Sequence, residues 1–120
     1  MSKDFPKRDI VERTFKFSVQ IVGIVNLLPR TPPGIAIANQ IIRSGTSIGA
    51  NMEEAQDAFS RNDFLHAVNI SLKEARETFY WLKIIDETNL TSKEQLLIAM
   101  QENTELIKIL TTIVKNTKKG

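Results

Sequence analysis

Residues 40–55, Q-I-I-R-S-G-T-S-I-G-A-N-M-E-E-A, carry two interleaved rhythms. With Ala38 one turn earlier, Ile41, Gly45, Ile48, Met52 and Ala55 recur at spacings of 3, 4, 3, 4 and 3, the seam of a helix packed along its length on other helices. Gln40, Ser44, Ser47, Asn51 and Glu54 follow the same rhythm one step round the cylinder. A polar line so close to a seam is expected to be partly buried and hydrogen-bonded, because each unsatisfied alternative costs about 1–3 kcal/mol. Gly45-x-x-x-Gly49 falls inside this helix. It therefore reads as a place of close helix approach, not as a phosphate loop, which would follow a strand.

Outward from this segment, start and stop signals place four helices in one domain spanning residues 1–120, at about 9–28, 32–57, 61–85 and 92–117. Asp9 with Glu12 can cap the first, whose seam is Ile10, Thr14, Phe17, Ile21, Ile24 and Leu28. Thr31-Pro32 supplies an N-cap and a first-turn proline for the second. Ser60 with Asp63 opens the third, with Leu65, Val68, Leu72, Ala75, Phe79 and Leu82 along its seam, and Thr91 with Glu94 opens the fourth, with Leu96, Met100, Asn103, Ile107, Leu110 and Val114. Four long amphipathic helices with short connections predict an all-α fold, an up-down-up-down antiparallel four-helix bundle.

The chain has no cysteine, which excludes disulfides and thiolate metal sites and fits a reducing compartment, with the cytoplasm expected. The longest uncharged apolar run, residues 17–29, is short of the roughly 20 residues that cross a bilayer and holds Ser18, Gln20 and Asn26. Residues 1–50 carry seven basic and three acidic side chains, whereas residues 51–120 carry nine and eleven. The net +2 is a weak pointer to a polyanion.

Catalysis finds little support in these residues. A di-iron carboxylate bundle needs two Glu-x-x-His motifs on separate helices, and His66 is the single histidine, with Asp63 three positions before it. Ser44 and Ser47 lack an imidazole that could serve as their base. The expectation is a protein that is not an enzyme and has no metal or other cofactor.

Helix 1 has more apolar surface than one bundle uses. At 100° per residue, Val11, Phe15 and Val22 lie roughly 120–160° from Phe17 and Val19 near 200°, an apolar arc of about 220°. That is about twice what a surface helix of a monomer needs. A four-helix bundle has no central helix to absorb the excess, so Val11, Phe15, Val19 and Val22 are candidates for contact between copies of the chain.

R-S-G-T-S-I-G-A-N-M-E-E-A, residues 43–55, resembles the signature of a bacterial family of small four-helix bundle proteins that includes products of intervening sequences in large-subunit ribosomal RNA genes, related to accessory proteins of diversity-generating retroelements. E-A-R-E-T-F-Y-W-L, residues 74–82, resembles the E-A-x-E-T-x-Y-W-L form of one branch, and with L-L-P at residues 27–29 the similarity spans about residues 15–85. The chain departs from the usual pattern at Ala55, where the family commonly has glycine after the glutamate, so helix 2 is expected to run on. The resemblance implies the bundle fold and a ring-like homo-oligomer of five; it leaves the activity open.

Arg43, Ser44, Ser47, Asn51 and Glu54 on helix 2 are placed to meet Glu74, Glu77 and Thr78 on helix 3, as a structural polar network or, alternatively, a small metal or anion pocket. Lys3, Lys7 and Arg8 should converge with Lys115, Lys118 and Lys119 at one end of an up-down bundle, where Glu53, Glu54 and Asp57 would weaken the field. Two functions follow. The protein is a non-enzymatic oligomeric scaffold that holds RNA, or a nucleic-acid-bound enzyme such as a reverse transcriptase, through these basic termini. Alternatively it is a structural protein-protein interaction module with no nucleic-acid role.

Overall fold

Thr31 takes an extended backbone conformation (φ −110°, ψ 164°), and its hydroxyl accepts the Gly34 N–H at 3.2 Å. Pro32 then occupies the first helical turn, where a missing N–H costs nothing. This opens α2 (Pro32–Gln56) in a computed structural model that describes the backbone of residues 5–119 and the side chains of residues 9–119. The other elements are α1 (Phe5–Leu27), α3 (Arg61–Glu87) and α4 (Lys93–Lys119), and no strand occurs among the described residues.

Ser60 caps α3 as its chemistry predicts, accepting the Asp63 N–H at 3.1 Å. The exit of α3 is a Schellman turn: Asn89 adopts a left-handed φ of 54°, and the N–H groups of Leu90 and Asn89 donate to the carbonyls of Ile85 and Asp86, each at 3.2 Å. Two expected starts shift. Asp9 does not cap α1, because the helix already begins at Phe5, and α4 begins at Lys93, one residue later than expected. With Ala55 buried in its last turn, α2 runs to Gln56.

α1 packs on α2, α2 on α3 and α3 on α4, while α4 closes more thinly on α1; among the described residues the pairs α1–α3 and α2–α4 do not meet. The interhelical partners run in opposite numerical order. Thr14 and Ile21 of α1 lie against Gly49 and Gly45 of α2. Ser71 and Thr78 of α3 reach Ile48 and Ser44 of α2. Arg13 of α1 meets Glu102 of α4, and Gly23 lies beside Gln95.

The core is the aliphatic and aromatic set that the periodicity predicts on α1 and α2, with Ile10, Phe17, Ile21 and Ile24 facing Ile41, Ile48 and Met52. On α3 and α4 the seam departs from expectation. Leu65, Phe79, Met100 and Ile107 are only half-buried, whereas Ser71, Thr78, Ala99 and Leu106 are fully sunk. Small side chains, Ser71, Thr78 and Ala99, occupy part of the buried lines beside Leu106, and Leu65, Phe79, Met100 and Ile107 fall on the flanks.

Candidate functional site

The α2–α3 seam assembles most of the polar residues expected there. Thr78 and Ser44, both completely buried, have their hydroxyl oxygens 2.9 Å apart, and the Thr78 hydroxyl also lies 2.8 Å from the Glu74 carbonyl. Ser71, which the periodicity did not single out, donates to the Ile48 carbonyl at 2.9 Å. Ser47 and Asn51 do not cross to α3; the first donates to the Arg43 carbonyl at 2.6 Å and the second to the Ser47 carbonyl at 2.8 Å, both within α2.

Toward solvent the seam ends in an ion-pair cluster. The Arg43 guanidinium donates to Glu74 at 3.2 Å and to Glu77, and Trp81 Nε1 donates to the same Glu77 at 3.1 Å. The hydrogen bond from Arg43, reinforced by that from Trp81, holds the Glu77 carboxyl below its ordinary value of 4.5. The same bond raises the Arg43 guanidinium. With Arg43 bridging two carboxylates of α3 and Trp81 holding one of them, the cluster pins α2 to α3.

Glu54 corrects the expectation. It is exposed, and its carboxylate makes no hydrogen bond or ion pair with the described residues. The physical reason is height along the helix: Glu54 shares the flank of Arg43, about 20° from it at 100° per residue, but stands about three turns, roughly 16 Å, further along α2, beyond the level of Glu74, Glu77 and Thr78 that meet Arg43 and Ser44.

On α1, Phe15, Val19 and Val22 stand 60%, 57% and 44% exposed, as the arc of helix 1 predicts. Val11 does not join them; it is half-buried and packs against the core. Beside this face is a recess of about 250 Å³ lined by Val19, Gln20, Gly23, Gln95 and Ile98, with Ile98 of α4 itself exposed. Deeper along the same groove, Arg13 grips Glu102 through two bonds of 2.7 and 2.9 Å, which raise the guanidinium above its usual value. These partners are 89 residues apart, and no local pattern signals such a pair.

Among the expected basic residues, Lys115, Lys118 and Lys119 are exposed at the end of α4. Lys3 lies outside the described residues, as do the side chains of Lys7 and Arg8. His66 is exposed near the start of α3. No helix among the described residues is long and apolar enough to cross a membrane.

Four packed helices, joined by a satisfied polar seam and carrying one bare apolar face, define an all-α protein of the small helical-bundle class. The family model described as 23S rRNA-intervening sequence protein matches residues 7–112, and the chain belongs to that family. Among solved structures it is similar to a protein of unknown function from the S23 ribosomal protein family of Bacteroides thetaiotaomicron. The two share 39% identity with a TM-score of 0.84, over 92% of this chain and 98% of the other. No curated protein matches the chain.

Proposed function

We propose that the protein is a non-catalytic scaffold that assembles from several copies through α1 and holds RNA. The observation that carries this reading is the row Phe15, Val19 and Val22, three large apolar side chains left in water on a helix whose opposite side is fully packed. Burying such a row in a second copy removes apolar surface from water at about 25 cal/mol per Å². The reverse numerical order of the interhelical partners supports an up-down-up-down bundle. The resemblance of residues 43–55 and 74–82 to a family for which a ring of five is implied favours that number of copies. The RNA assignment is supported by the family description, which ties these proteins to 23S rRNA genes, and by the lysines at the end of α4. The resemblance to retroelement accessory proteins makes a reverse transcriptase bound to its RNA a second candidate cargo.

The test is light scattering on the protein alone and mixed with a ribosomal RNA fragment. The reading predicts several chains per particle in both samples and an RNA-loaded particle in the second. A single chain bound per RNA, or no RNA bound at low salt, overturns it.

A further inference from the structure

Resting on the RNA-holding reading, we propose that the phosphates are gripped by the outward face shared by α3 and α4, and not chiefly by the chain termini. Lys73, Arg76, Tyr80 and Lys83 are all exposed and recur at spacings of 3, 4 and 3, so they form one stripe along α3. The side of α3 that meets α2 is fixed by Ser71, Glu74 and Thr78. The stripe lies on the far side of the helix from these contacts, next to the half-buried Phe79. Lys83 sits with its ammonium 5.7 Å from the Phe79 ring centroid, which steadies its stem on the helix surface.

α4 supplies the other lip. Its edge toward α1 is fixed by Glu102, paired with Arg13, and by Gln95 beside Gly23. On the opposite edge run the exposed Lys108, Lys115 and Lys118. The Asn103 amide donates to the Ala75 carbonyl at 3.0 Å, which sets the level of the two helices. At 1.5 Å per residue Lys108 then falls close to the level of Lys73, and Lys115 extends the same lip about 10 Å further.

Charge on this face is predominantly positive, with Glu87 one turn beyond Lys83, Glu105 beside Lys108 and Glu77 within the field of Lys73 as its neighbouring carboxylates. Six of the nine basic residues of the second half of the chain line it, and five of them, all but Lys108, form no ion pair with the described residues. Lys108 meets Glu105 only at 3.8 Å with both side chains largely in water, a pair of little strength. Arg13, Arg43 and Lys93 are by contrast paired with carboxylates elsewhere. Of the described basic residues without an ion pair, Lys73, Arg76, Lys83, Lys115 and Lys118 lie on this face, while Arg30, Arg61 and Lys119 lie elsewhere. α1 meets α2 and α4 but not α3, so a copy docked on α1 leaves the α3 stripe free.

A row of separated cations on rigid helices, with one exposed aromatic among them, fits a phosphate backbone and carries no base-reading geometry. Each phosphate neutralised on a duplex contributes about 0.9 to the salt slope, so six give a slope near −5, and losing three removes about 3.

The experiment is a salt titration of a labelled RNA duplex by fluorescence anisotropy. It compares wild type, Lys73→Gln/Arg76→Gln/Lys83→Gln, Lys108→Gln/Lys115→Gln on the other lip, and Lys119→Gln at the tail, with helix content and particle mass checked for each. The proposal predicts that the α3 variant loses about 3 from the slope and at least tenfold in low-salt affinity, that the α4 variant loses about 2, and that the tail variant loses least. Wild-type binding that the α3 and α4 variants retain and the tail variant loses overturns the proposed face and leaves the RNA-holding reading standing. No wild-type binding at low salt overturns that reading itself. Binding to vesicles of anionic lipid without RNA binding replaces RNA by a membrane surface, and also overturns the proposal.

Discussion

Gly45 and Gly49 set how closely α1 approaches α2, and replacing them by alanine has a sign that can be worked out. A Cβ on Gly45 would lie 2.8, 2.9 and 3.2 Å from three carbons of Ile21, and Ile21 is completely buried. Those carbons are the branched stem of the side chain, so no rotation of a flexible end relieves the clash. Overpacking of this kind costs about 1–3 kcal/mol. The gain from removing a mid-helix glycine is about 1 kcal/mol. Three contacts this short put Gly45→Ala in the upper part of the range, for a net loss of about 1–2 kcal/mol. At about 2.1 cal/mol/K per residue, unfolding this 120-residue chain has an entropy near 250 cal/mol/K, so Tm should fall by about 4–8 °C. Gly49→Ala meets the backbone carbonyl oxygen of Thr14 at 3.1 Å and should lose less. The double variant should lose less than the sum, because α1 needs to move outward only once. Gly23→Ala is the internal control: its Cβ meets only the Gln95 side chain at 3.7 Å, so Tm should rise by about 4 °C. Thermal melts followed by far-UV circular dichroism decide the matter. A Gly45→Ala protein as stable as wild type, or shifts of the same sign at positions 45 and 23, would refute the close-approach argument.

Glu54→Ala should leave thermal stability within about 0.5 kcal/mol of wild type, because the side chain is exposed and unpaired; a melt lower by several degrees would contradict this. Glu77 has a folded-state carboxyl below 4.5, so its contribution to stability is complete above about pH 4.5 and is lost as the pH falls through the depressed value. Arg43→Ala removes the main cause of that shift, and its Tm should accordingly fall less steeply than wild type on acidification below that point. Asn103 is completely buried with its Oδ1 unpartnered among the described residues. Asn103→Leu should therefore raise Tm while broadening the distribution of particle masses, if the amide fixes register at some cost in stability.

What could be read in the sequence follows from where the physics is local. The α2 seam and the Thr31 and Ser60 caps depend on residues within a turn or two of each other, and they stand as expected. The Asp9 cap failed because a suitable pair also occurs inside a helix that starts earlier. Choosing large apolar residues for the α3 and α4 seams favoured Phe79 and Met100, whereas helix packing sank the smaller Thr78 and Ala99 beside them, and between the equally apolar neighbours Leu106 and Ile107 spacing alone did not decide. Ser71 was findable, since it stands three residues after Val68 and seven before Thr78, on the buried side of α3. The Arg43 cluster was legible because one line on α2 faces one line on α3; Glu54 stays on that line but lies three turns beyond Arg43, past the level of Glu74 and Glu77. Arg13 with Glu102 needed the closure of α4 on α1, which is information of tertiary origin.

The central claim is assembly through the outward face of α1, and particle mass tests it most directly. Multi-angle light scattering at micromolar concentration should give several times the 13.6 kDa of one chain, and about 68 kDa for a ring of five. Val19→Glu/Val22→Glu should bring the mass down to one chain with helix content retained, because both side chains point away from the core. A wild type of about 14 kDa, or a double variant that keeps the wild-type mass, would contradict the account.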